Sequence, residues 1–183
     1  MKELTVGSLG TCCYIVWAEG GTDCAVIDPG GEPERIREAC AGRKIKAILL
    51  THGHFDHIRA VGELARDGAE IVIHRDDAPM LTDPDMNAGW LAGEHVTAPP
   101  ASRIVREGDK ITCGGVTFTV LHTPGHTPGS VCYQTGDWLF TGDTLFHGGC
   151  GRTDLPGGSM QQLTDSLRRL YPLAHQYQIF PGH

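Results

Sequence analysis

Residues 47–57 read "AILLTHGHFDH", and no other stretch restricts the possible folds as strongly. The apolar run ending at Leu50 is the pattern of a buried strand. Directly after it stand His52, His54, Asp56 and His57. His52 and His54 are two apart, so an extended backbone points both imidazoles to the same side. Asp56 and His57 fall where the helical pattern of "DHIRAVGELARDG" begins, and a helix N-terminus favours a carboxylate's charge. A fold that accepts this segment must bury the strand and gather three imidazoles and a carboxylate at its end. That donor set suits zinc, iron or manganese.

The pattern recurs along the chain. "FTVLHTPGH" brings His122 and His126 around a Pro-Gly turn, and either could be a ligand. "WLFTGD" ends on Asp143, and "YQIFPGH" ends on His183. Each donor follows an apolar strand, and loops at one edge of a sheet are where sites are usually built.

The remaining pattern predicts an α/β chain. "ELTVG", "CCYIVWAE" and "CAVIDPGG" read as strands. Pro33 to Gly42 reads as a helix with Ile36, Ala39 and Cys40 on one face. A second helix is predicted over 56–68, burying Ile58, Val61, Leu64 and Ala65, with Gly68 as its stop. "AEIVIH" is a strand, and residues 83–102 form a long surface loop. Trp90 and Leu91 would give that loop apolar contacts as a substrate lid or a dimer surface. Hairpins are predicted at Gly114–Gly115 and within "SVCYQTGDWLFTGD". Ser159 and Gln162 form a capping box for a helix over 159–170, with Met160, Leu163, Leu167 and Leu170 along one side. Helices then cover the outer faces of sheets, in one domain spanning 1–183.

Composition narrows the function. A net charge of -7 disfavours a partner as anionic as nucleic acid. No apolar run reaches the roughly 18 residues of a membrane span, and the first residues lack the apolar core of a secretory signal. The seven cysteines are odd in number and form no C-x-x-C, which suits a reducing cytoplasm rather than a disulfide framework.

Taken in order, "VIDPGG", "THGHFDH", "HTPGHT", "FTGDTLF" and "FPGH" resemble the five motifs of the metallo-β-lactamase fold superfamily. The resemblance covers nearly the whole chain. It implies an αββα sandwich of two mixed sheets flanked by helices, with metals at one edge. His52, His54 and His126 would hold a first metal, and Asp56, His57 and His183 a second, with Asp143 bridging both. His122 would stand behind the ligands, and Asp28 would brace their loops. Two divalent ions are implied, zinc foremost, with iron or manganese also suited.

Within the superfamily, "LFTGDTLFHGGCGRTDLPGG" is most similar to the small glyoxalase II-like hydrolases. In that family a cationic loop residue helps hold glutathione, a role that falls here to Arg152. The helical C-terminal domain of glyoxalase II has no counterpart in these residues. Small family members also run on past "PGH", where this sequence stops. The implied activity is hydrolysis of an S-acylglutathione thioester, of the S-lactoylglutathione type, by a metal-activated hydroxide that Asp56 orients. The partner is then a small-molecule thioester, with no nucleic acid and no membrane; nothing in the sequence specifies an oligomeric state. An iron-dependent persulfide dioxygenase is the alternative within the same resemblance. A non-catalytic metal-binding protein on this fold is a further one.

Overall fold

The computed structural model describes residues 1–183. Strands β1 (Lys2–Val6), β2 (Thr11–Val16) and β3 (Asp23–Ile27) pair antiparallel. Helix α1 (Pro33–Ala39) returns the chain to β4 (Lys44–Leu49), parallel to β3. Two short helices, α2 (Phe55–Ile58) and α3 (Val61–Leu64), lead to β5 (Glu70–His74), and β6 (Arg103–Val105) adds beyond it. These strands form one sheet in the order β1-β2-β3-β4-β5-β6. The chain then builds an antiparallel meander of β7 (Lys110–Cys113), β8 (Val116–His122), β9 (Val131–Thr135) and β10 (Trp138–Gly142). A small hairpin of β11 (Leu145–Phe146) and β12 (Gly149–Cys150) precedes α4 (Met160–Ala174). Last, β13 (Gln178–Pro181) lies parallel to β10 and completes a second sheet, β13-β10-β9-β8-β7.

The two-residue period of the strands sorts the apolar residues into layers. Cys13, Ile15, Cys24, Val26, Ile48, Ile71 and Ile73 face outward from the first sheet, onto Ile36 of α1, Ile58 of α2 and Val61 and Leu64 of α3. Their neighbours Tyr14, Val16, Ala25, Ile27, Ala47, Leu49 and Val72 face inward, onto Phe118, Val120, Val131, Tyr133 and Phe140 of the second sheet. Leu139 and Cys132 cover the second sheet's far face, under Leu167 and Leu170 of α4. The architecture is therefore the αββα sandwich of two mixed sheets, as expected.

Strands β4, β8, β10 and β13 all end at the same edge of the sandwich. There the two sheets are fastened by polar groups that burial would otherwise leave unpaired. Val131 N–H donates to the Thr51 carbonyl at 2.8 Å, and Tyr133 Oη donates to the Leu50 carbonyl at 2.9 Å. Tyr14 Oη donates to the Pro181 carbonyl at 2.6 Å.

Three elements differ from expectation. The helix predicted over 56–68 is broken: α2 and α3 are separate, and a 3₁₀ turn at Ala65–Asp67 follows. The Ala60 N–H donates to Pro29 of the neighbouring loop at 2.9 Å, so the α-helical ladder is interrupted there. The 83–102 segment is no simple surface loop. Val96 and Ala98 are buried in the core, and Asn87 binds the Met80 and Val96 carbonyls at 3.1 and 2.8 Å. Helix α4 extends to Ala174, beyond the predicted end at Leu170.

Candidate metal centre

Each predicted ligand sits just past a strand, where the chain turns across the sheet edge. His52 and His54 follow β4, Asp56 and His57 open α2, and His126 lies in the turn between β8 and β9. Asp143 and His183 follow β10 and β13. Asp143 is preceded by Gly142 at φ 48, where a Cβ would collide with Thr51. Only glycine supplies both that conformation and that clearance.

The structure brings all seven residues together. His54 Nδ1 and His126 Nε2 are 2.9 Å apart, and His52 packs edge-on against both rings. His57 Nε2 lies 3.5 Å from Asp56 Oδ2 and 3.4 Å from Asp143 Oδ1. His183 Nε2 lies 3.3 Å from Asp56 Oδ2. Asp143 Oδ2 is 3.6 Å from His126 Nε2 and 3.6 Å from His183 Nε2, so its carboxylate touches both groups.

These donors fit metal ions. Bonds of about 2.1 Å in tetrahedral array separate neighbouring ligand atoms by roughly 3.4 Å, close to most of these distances. Three donor atoms, His52 Nε2, His57 Nε2 and Asp143 Oδ1, are buried with no hydrogen-bond partner. Such orphans are costly unless an ion satisfies them. On two of the rings the opposite nitrogen is engaged: His126 Nδ1 meets the Arg152 carbonyl at 2.8 Å, and His52 Nδ1 meets Thr51 Oγ1 at 3.1 Å. Such contacts fix which nitrogen is presented to a metal.

Electrostatics divides the cluster into two halves. Burial among other imidazoles holds His52 far below its ordinary pKa and pushes His54 down to about 3. Both rings are therefore neutral, the form a metal binds. Burial also opposes charge on His57, but Asp56, Asp143 and Asp28 outweigh it and hold that ring protonated well above its usual range. Asp56 is likewise held low against burial by His57 and His183.

Two buried aspartates brace the ligand loops. Asp28 accepts from the Thr51 N–H at 2.8 Å and Thr51 Oγ1 at 2.6 Å, and its Oδ2 lies 3.1 Å from His57 Nδ1. This is the bracing position expected of it. Asp77 does the same on the other side and was not anticipated. It accepts from the Gly53 N–H at 3.1 Å, Thr127 Oγ1 at 2.6 Å and the Gly129 N–H at 2.7 Å. It thereby links the turn bearing His52 and His54 to the turn bearing His126. The available signal was "IVIHRDD", another acidic residue just past an apolar strand.

Two predicted positions behave differently from the ligands. His122 does not stand behind them. It stacks on His74 with ring centroids 4.1 Å apart, and its Nε2 meets the Pro128 carbonyl at 2.9 Å. Arg152 lines the cavity over the ligands, but its side chain is 56% exposed and bound at both Nε and Nη2 by Asp154, each at 2.7 Å.

Fold and donor set together define a metal-dependent hydrolase of the sandwich type. The sequence matches the metallo-β-lactamase superfamily over residues 7–183, and the chain belongs to it. It is 35% identical to the probable metallo-hydrolase YqgX of Bacillus subtilis, over 100% of this chain and 89% of that protein. It is also 35% identical to the hydroxyacylglutathione hydrolase GloC of Haemophilus influenzae, over 93% of this chain and 84% of that one. Among solved structures, the B3 metallo-β-lactamase BLEG-1 superposes with a TM-score of 0.93 at 35% identity, covering 100% of this chain and 90% of its own. The di-iron-bound form of TTHA1623 gives 0.89 at 37%, covering 100% and 92%. ETHE1 from Myxococcus xanthus gives 0.79 at 32%, covering 100% and 74%.

Proposed function

We propose that the protein hydrolyses thioesters of the S-acylglutathione type. One observation carries this reading. The cavity above the ligands holds His54, Asp56, His126, Asp143, His183 and Arg152 as its only ionisable side chains. All but Arg152 are proposed ligands, so no separate general acid stands ready to protonate a leaving group. A thiolate leaves without one, because thiol pKa values lie far below those of amines. Likeness to GloC supports the same substrate class.

His52, His54 and His126 would hold one ion and Asp56, His57 and His183 the other, with Asp143 between them. Two divalent ions, zinc foremost, would lower the pKa of a shared water and polarise the thioester carbonyl. Asp56 would orient the resulting hydroxide towards that carbonyl. The C–S bond breaks as a C–O bond forms, giving a carboxylate and a thiol. Arg152 grips a carboxylate of the thiol carrier, in competition with Asp154. The free cysteines suit a cytoplasmic site of action.

An iron-dependent persulfide dioxygenase is the second reading, supported by the resemblance of the loop "GCGRTD" to that subfamily. A facial set of two histidines and one aspartate around a single iron would suffice for it. The likeness to BLEG-1 adds β-lactams to the compounds worth assaying. Metal analysis combined with three assays separates these readings: release of thiol from S-lactoylglutathione, oxygen uptake on glutathione persulfide, and opening of a β-lactam. Two ions with thiol release is the expected result. One iron with oxygen uptake and no thiol release would replace it.

A further inference from the structure

The acyl half of the substrate has its own surroundings. Five apolar residues, Leu9, Phe55, Ala88, Leu91 and Leu155, line the cavity of about 190 Å³ above the donors. Leu9 and Leu91 are 54% and 50% exposed, so their apolar surface faces solvent at the cavity mouth. Leu91 sits in a 3₁₀ turn, Gly89–Ala92, whose first N–H is bound by Asn87 Oδ1 at 3.1 Å. Asn87 is itself buried and tied to two carbonyls, so this wall is set before any ligand arrives.

No lining side chain is left to receive a hydroxyl. The imidazoles and carboxylates face one another as metal donors, and Arg152, held by Asp154 through Nε and Nη2, stands at the rim where the thiol carrier lies rather than at the leucine wall. A hydroxyl carried into this space loses water against leucine and gains no side-chain partner, which disfavours it. A hydrocarbon chain instead covers apolar surface that is otherwise wet. The volume admits a chain of a few carbons but not glutathione as well, so the thiol carrier must lie across the rim, towards Arg152.

We propose that the acyl group of the substrate is a short, unsubstituted hydrocarbon chain, seated on Leu9, Leu91 and Leu155, rather than a 2-hydroxyacyl group. This rests on the thioester reading and names the acyl class within it. The test compares S-acetyl-, S-propionyl-, S-butyryl- and S-lactoylglutathione on the metal-loaded protein. Propionyl and lactoyl differ by one hydroxyl, which isolates the point at issue. The expected kcat/KM for propionyl exceeds that for lactoyl at least about fivefold, and rises roughly tenfold from acetyl to butyryl. Leu91→Ala and Leu155→Ala flatten that rise. Titration calorimetry with the uncleavable thioethers S-methyl- and S-butylglutathione reads the same seat without turnover, and S-butylglutathione binds roughly tenfold tighter. Preference for lactoyl, no dependence on chain length, or no gain in affinity from methyl to butyl overturns the acyl assignment while leaving thioester hydrolysis standing. No turnover of any of the four thioesters overturns both.

Discussion

Residues in this centre differ in how readily they give way to a metal. His52 and His54 are neutral rings held so by burial, whereas His57 carries a proton stabilised by Asp56, Asp143 and Asp28. An ion binding at His57 Nε2 must displace that proton, and one binding at His52 Nε2 displaces none. Because the His57 pKa is raised, apparent affinity at the second position falls as pH drops below it, while the first position is affected much less. His183, at 29% side-chain exposure, is also the most open of the five proposed ligand histidines. Metal titrations at pH 8 and pH 6 are expected to resolve two affinities, with only the weaker one falling steeply at pH 6. Parallel loss at both positions would sink this account. His183→Ala should retain one ion, as read by atomic absorption.

Asp77 carries a second residue-scale prediction. Its carboxylate fills the space between two ligand turns with three accepted hydrogen bonds. In Asp77→Asn one oxygen becomes an NH₂ that must face the Gly53 or the Gly129 N–H. A buried donor left unpaired costs about 1–3 kcal/mol. The variant should lose that much stability in urea titrations and also bind metal more weakly, since Gly53 lies between His52 and His54. Unchanged metal affinity would mean that Asp77 supports the fold without positioning the ligands.

Secondary elements show what the sequence reveals and what it hides. Strands β4, β8, β10 and β13 and their donors are legible because an apolar run followed at once by His or Asp is a local signal. Helix α4 is legible for a similar reason: Ser159 accepts from the Gln162 N–H at 3.3 Å, as the capping pattern requires. The break between α2 and α3 is not legible, because its cause lies more than twenty-five residues upstream. There Gly30 packs directly against the Asp56 carbonyl, and Pro29 takes the Ala60 N–H that a continuous helix would use internally. Asp77 was hidden likewise, as its partners lie in two distant turns. A methyl group at residue 30 would overlap the Asp56 carbonyl. Gly30→Ala must therefore shift the α2 backbone that carries Asp56 and His57, at a cost of about 3 kcal/mol or more. Circular dichroism melting and metal counting on this variant should show lower stability together with loss of the second ion. A variant that keeps both ions and wild-type melting would show that α2 adapts.

At the scale of the whole molecule, the centre is a seam. His52, His54, Asp56 and His57 come from the edge of the first sheet, and His126, Asp143 and His183 from the edge of the second. Each proposed ion takes ligands from both sides, so binding ties the two sheets together where they are otherwise held by hydrogen bonds such as Val131 to Thr51. The unfolded chain scatters these donors over more than a hundred residues and cannot offer the same site. Metal binding is then coupled to folding of the sandwich as one unit. An ion held at a hundred times its Kd adds about 2.7 kcal/mol, so two add about 5 kcal/mol. For a chain of this size, that is a fall in Tm of roughly 10–20 °C on chelation. Differential scanning calorimetry with and without chelator should show one transition that moves as a whole. If instead a separate low-temperature transition splits off, the ions stabilise only the ligand loops, and the two sheets melt independently of them.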